Sequence, residues 1–100
     1  MNTVELKCVT IIAEAILEKR LTEEVTRLGA TGYTVTDARG KGSRGLRTSE
    51  WEGQNIVLQT LVGPAVAERI LQRMAEAYFP HFAAVAYVEN VQVVRGEKYL

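Results

Sequence analysis

Apolar residues along this chain keep a strand-like rhythm in four places and a helix-like rhythm in two, and the order of those rhythms restricts the fold more than any other feature. VELKCVTIIA, residues 4–13, is rich in β-branched residues and short, which predicts a strand. From Glu14 the period changes: Leu17, Leu21, Val25 and Leu28 recur at four, four and three, lining one helical face, with charged residues on the others. Gly29 supplies the residue that commonly closes a helix. TGYTVTDA, residues 31–38, and NIVLQTLV, residues 55–62, read as two further strands. Gly63-Pro64 then opens a second helix whose apolar face is Val66, Ile70, Leu71, Met74 and Tyr78, and Pro80 stops it. A last strand over 83–94 precedes the tail RGEKYL.

The order is βαββαβ, and 100 residues leave room for one core and one domain, residues 1–100. The economical architecture is an α+β ferredoxin-like sandwich, a four-stranded antiparallel sheet with both helices on one face. Yet the strands are apolar on both sides. Val4, Leu6 and Cys8 alternate with Val9 and Ile11, Val57 and Leu61 with Ile56, Leu58 and Val62, and Val85 and Tyr87 with Ala84 and Val88. With no element left to cover the second face, self-association is expected.

Formal net charge is zero, so nothing global attracts nucleic acid or anionic membrane. Locally the picture differs. Arg39, Lys41, Arg44 and Arg47 fall within nine positions that hold no acid, on a segment that also reads Gly-x-Gly-x-x-Gly at Gly40, Gly42 and Gly45. A dinucleotide fingerprint needs those glycines between a first strand and a helix, whereas here they follow the second strand and lead to a third. No Walker-type loop occurs either. What remains is a flexible connection over about residues 40–54, longer than compact domains usually keep without a function. Its glycines let backbone N–H groups approach a phosphate, Ser43 can donate a hydroxyl, and Lys41, Arg44 and Arg47 can make charge-assisted hydrogen bonds. The same composition also suits a solvated basic loop.

GATGYTVTDARGKGSRGLR, residues 29–47, resembles the second strand and loop entry of PII-like signal-transduction proteins of the carbon-regulation group, those associated with bicarbonate transporters and carboxysomes. The Thr-Gly-Tyr step and the Gly-Lys-Gly-Ser-Arg run are its specific marks, and the βαββαβ order extends the resemblance over the whole chain. The resemblance implies a homotrimer with an adenine nucleotide in each cleft between subunits, and a T-loop at about 40–54 that responds to the ligand and contacts a protein target. Gly40, Lys41, Gly42, Ser43, Arg44 and Arg47 would face the nucleotide phosphates. Thr31 and Gly32 would lie near the base or ribose, and Gly96 would contribute from across the interface. The ligands implied are ADP or AMP, with ATP and cyclic AMP as alternatives, together with bicarbonate, for which Arg47 or Lys98 would supply a donor. The loop carries no tyrosine of the kind the nitrogen-sensing members modify, and the tail carries no cysteine, so neither nitrogen sensing nor redox-gated nucleotide hydrolysis is implied.

Other functions find less support in the residues. A ferredoxin-fold phosphatase could use a similar basic loop, but the single His81 stands without a recognisable nucleophile motif, and no catalytic residue is assigned. RNA-recognition domains share this element order but display stacking aromatics on central strands, and neither the first strand nor NIVLQTLV has any. One cysteine, Cys8, and one histidine make no metal cluster. Apolar runs fall well short of the roughly 18 residues that span a bilayer, and MNTVELK is not a signal peptide. A cytoplasmic, non-enzymatic nucleotide sensor is the expectation. Replacing Arg44 or Arg47 by Ala should then weaken ADP binding about ten- to a hundredfold, the worth of a hydrogen bond to a charged group, as read by calorimetry; wild-type affinity in both variants would make the segment a solvated surface.

Overall fold

The computed structural model describes residues 1–40 and 54–100. Strand β1 (Thr3–Glu14) is followed by a 3₁₀ turn (Ala15–Leu17) and helix α1 (Glu18–Leu28). Strands β2 (Thr34–Ala38) and β3 (Asn55–Val62) come next. Helix α2 (Pro64–Arg73) runs into a π-helical turn (Met74–Tyr78), and β4 (Val85–Val94) and a 3₁₀ turn (Gly96–Tyr99) complete the chain. The sheet order is β2-β3-β1-β4, with every neighbouring pair antiparallel. This is the ferredoxin-like sandwich that the periodicity predicts.

Local chemistry accounts for the helix ends. Glu18 in the first turn of α1 and Arg27 in its last complement the helix dipole. Gly29 at φ 121° takes the conformation that side chains avoid, and Ala30 N–H closes on Val25 C=O at 2.9 Å. Pro64 sits in the first turn of α2, where its missing N–H costs nothing.

The register assigns each strand residue to a face. Val9, Ile11 and Ala13 stand beside Thr60, Leu58 and Ile56, and this face packs on Leu21, Val25, Ala67, Ile70, Met74 and Tyr78 to make the core. The alternate residues, among them Val4, Leu6, Cys8, Ile12, Val57, Leu61, Val85 and Tyr87, share the opposite face. There Val85 and Tyr87 remain 50% and 45% exposed.

Several boundaries differ from the sequence-based reading. The first helix does not begin at Glu14, which is still paired to Asn55; the 3₁₀ turn intervenes. The second strand begins at Thr34 rather than 31, because Thr60 Oγ1 donates to Gly32 C=O at 2.6 Å and holds that residue ahead of the ladder. The fourth begins at Val85 rather than 83. The tail also does more than trail away. Arg95 adopts φ 65°, and Gly96 tucks so closely onto the second face that a Cβ there would lie 2.9 Å from Val4 Cβ and 3.1 Å from Val93 Cβ. Leu6 is thereby buried, so part of that face is covered from within the chain.

Candidate functional site

One end of the sheet carries a cleft beside the points where the chain leaves at Gly40 and returns at Gln54. Asn55 opens β3 opposite Ala38, the last residue of β2, and also opposite Glu14, the last of β1. The chain leaving at Gly40 and returning at Gln54 is therefore anchored at a fixed point. Ala15 N–H donates to Gln54 C=O at 2.9 Å, which ties the returning chain to the 3₁₀ turn. Between these pieces lies a cleft of about 430 Å³ lined by Ala15, Asp37, Ala38, Arg39, Gln54 and Asn55. That volume lies within the range that small-molecule sites occupy, roughly 300–1,000 Å³. Its lining offers a cation in Arg39, a carboxylate acceptor in Asp37 and two amides able to read the polar edge of a base or ribose.

The residues singled out from sequence fall into four groups. Lys41, Gly42, Ser43, Arg44 and Arg47 lie outside the described residues. Gly40 stands at the cleft end, with open space where a Cβ would point. Thr31 and Gly32 lie eight or nine residues back in the chain, ahead of β2 and beside Thr60 of β3. Gly96 and Lys98 follow the end of β4 that pairs with the start of β1, again remote from the cleft. Within one chain Thr31, Gly32, Gly96 and Lys98 are thus not brought to Gly40. The glycine at 96 already has a packing reason within its own subunit. Asp37, Gln54 and Asn55 were not singled out from sequence; their signal was position, since they flank the basic segment directly.

A second polar cluster joins the helices. The Glu24 carboxylate, its side chain 10% exposed, accepts from Arg73 Nε at 2.9 Å, from Tyr78 OH at 3.1 Å and from Arg27 Nη2. The Arg20 guanidinium lies over the Tyr78 ring at 5.0 Å and over Phe82 at 5.6 Å. Burial pushes the Glu24 carboxyl up, but the hydrogen bonds from Arg73, Arg27 and Tyr78 outweigh it and hold the group below its ordinary value of 4.5. Burial, and then the neighbouring Glu24 carboxylate, push the Tyr78 phenol up. Cys8 is half-buried on the second sheet face, His81 is exposed with its ring edge-on to Phe82 at 6.4 Å, and no cluster of three or more metal-ligating side chains occurs among the described residues. No helix among them is long and apolar enough to cross a membrane.

Comparison with known proteins agrees with this architecture. The family model for nitrogen regulatory protein P-II matches residues 6–98. The chain belongs to the P-II family. This P-II chain is 68% identical to a protein of Thermus thermophilus assigned to the PII-like signaling proteins, with all of both chains covered and a TM-score of 0.88. CPII of Thiomonas intermedia is more distant. Its structure with ADP, AMP and acetate shares 25% identity over 99% of this chain and 98% of that one, TM-score 0.85. Its structure with ADP and bicarbonate shares 26% over the same fractions, TM-score 0.84.

The Glu24 cluster has a pH signature. A carboxyl whose folded pKa is depressed contributes stability that is complete above the unfolded value and lost as pH falls through the folded one. The urea midpoint should therefore fall as pH drops below about 4.5, and Glu24→Gln should remove part of that slope. At pH 7, Tyr78→Phe should cost about 1.5–3 kcal/mol, a hydrogen bond to a charged group; a slope unchanged by Glu24→Gln would show that the carboxylate is not held this way.

Proposed function

We propose that this P-II family protein is a non-enzymatic, cytoplasmic regulator that senses adenine nucleotides, ADP or AMP foremost, coupled to bicarbonate. It would report inorganic-carbon or energy status to a protein target such as a bicarbonate transporter or a carboxysome-related protein. The observation that carries the reading is the Thiomonas CPII relative, 26% identical across nearly the whole of both chains and holding ADP and bicarbonate. Beside it stands the 430 Å³ cleft, whose Arg39 and Gln54 flank the basic segment in the chain.

The working assembly is a homotrimer whose apolar sheet faces meet around the three-fold axis. Two features support it: Val85 and Tyr87 are half exposed on that face, and the candidate residues Thr31, Gly32, Gly96 and Lys98 are remote from Gly40 within one subunit. Neighbouring copies would unite the two groups. Phosphates would be held by Lys41, Ser43, Arg44 and Arg47 with the backbone N–H groups of the glycines, since amide and guanidinium donors suit an anion without demanding a metal. Bicarbonate would take the donors that the phosphates leave over, from Arg47 or Lys98.

Coupling of two ligands is reciprocal, so bicarbonate and ADP must each tighten the other by the same factor. Calorimetric titration of ADP at constant ionic strength, with bicarbonate replacing chloride, should give a lower dissociation constant. An unchanged constant would remove bicarbonate from the reading, and absence of ADP binding would remove the reading itself.

A further inference from the structure

The sheet face turned away from the helices is two apolar patches rather than one. The register places Val4 beside Val93 and Leu6 beside Val91 at one end. At the other end Ile12 stands beside Val57 and Val85, with Tyr87 two residues further along β4. Polar groups separate the patches: Glu89 pairs with Cys8, and in the next row Gln59 Nε2 donates to Thr10 Oγ1 at 3.2 Å. The two ends differ in exposure. Val85 and Tyr87 are half exposed, whereas Leu6, where the tail lies, is 3% exposed.

The tail is shaped for that seat. Gly96 is buried, and the described glycine with positive φ is Gly29, so what position 96 needs from glycine is space. A Cβ there would meet Val4 Cβ at 2.9 Å, Val93 Cβ at 3.1 Å and Leu6 Cδ1 at 3.4 Å. To deliver Gly96 to this notch the chain turns at Arg95 with φ 65°, a conformation that residues bearing a Cβ seldom adopt. The 3₁₀ turn Gly96–Tyr99 then leaves Glu97 and Lys98 exposed, with the Lys98 ammonium 5.3 Å from the Tyr99 ring centroid. A charged outer surface thus lies over an apolar strip, which is how the polar outer face of a capping repeat ends a stack.

We propose that the tail is an assembly-limiting cap. By seating Gly96 on Val4, Leu6 and Val93 it withholds that patch from other copies of this chain and leaves the Ile12, Val57, Val85 and Tyr87 patch for self-association. The excluded occupant is a second copy, because identical uncovered strips pair about a two-fold axis, and one apolar patch at each end of a face would let copies join without closing. The open patch rests on the homotrimer reading above; the cap is tested apart from it and without nucleotide.

The test unseats the tail of the full chain by two independent routes. Gly96→Leu overfills the notch, and Arg95→Pro forbids the positive φ because the proline ring holds that angle negative. Arg95→Gly removes the same side chain but keeps the turn accessible, and serves as the control. Amide exchange at 97–99 reports the seat, and light scattering over a dilution series reports the mass. Both unseating variants should lose protection at 97–99 and, as concentration rises, form species about twice the wild-type mass, as two-fold pairing of uncapped strips requires. Arg95→Gly should match wild type. Should Gly96→Leu fail to fold, Arg95→Pro decides, since it adds nothing to the notch. Wild-type mass at every concentration despite lost protection would overturn the cap, and so would protection retained in both variants. Tyr87→Lys should lower the wild-type mass, while Arg95→Pro combined with it should still associate through the uncovered strip. An unchanged mass in Tyr87→Lys would overturn the proposed sheet-face assembly and leave the cap standing.

Discussion

In a four-stranded antiparallel sheet, side chains alternate strictly between faces, and this chain places apolar residues on both. Val9, Ile11, Ile56 and Leu58 point to the helices, while Val4, Leu6, Val57, Leu61, Val85 and Tyr87 point away. Two helices can cover only the first set. The tail relieves part of the mismatch by pressing Gly96 onto Val4 and Val93, but Val85 and Tyr87, at the other end of the same face, stay half exposed. That uncovered end is the end at which the basic segment leaves and returns. In the proposed trimer, covering that end and building a site between copies would coincide.

The β2-β3 connection is anchored at a point defined to within a residue, because Asn55 is paired on both sides, to Ala38 and to Glu14. A paired strand end on either side of a glycine-rich, cationic sequence suits an anionic ligand. The scaffold supplies fixed walls in Ala15, Asp37, Arg39, Gln54 and Asn55, and the charge-rich segment supplies the phosphate contacts in the proposed site. With four of the twelve basic residues and none of the twelve acids in 39–47, the rest of the chain carries more acids than bases and does not compete for the same anions.

Much of this was legible in the sequence because it depends on local rhythm. Helical spacing marked the two helices and β-branched content the strands, Gly29 and Pro64 marked helix ends, and the parity of Val4, Leu6 and Cys8 against Val9 and Ile11 correctly assigned both faces. What escaped depends on partners far away in the chain. Met74 and Tyr78 are spaced as in an ordinary α-helix; the π turn is tied to Glu24, 54 residues distant, and no local pattern reports that bond. Gly96, which the resemblance assigns to the nucleotide site, shows its packing role only when Val4 is brought against it. Asp37 and Gln54 become a site only when β2 and β3 pair. The family resemblance, carried by residues 29–47, anticipated the P-II match over residues 6–98, because the loop-entry motif is short, continuous and specific.

An adenine nucleotide bound at the cleft end of the sheet and engaging the basic segment is the centre of the proposed function. Hydrogen exchange with and without saturating ADP tests it most directly, since it reports the position of binding along the chain. Exchange should slow at residues 37–40, across 41–53 and at 54–55, with the mid-strand amides of β1 and β3 unchanged. Exchange that does not change at saturating ADP, or protection confined to the outer surfaces of α1 and α2, would contradict it.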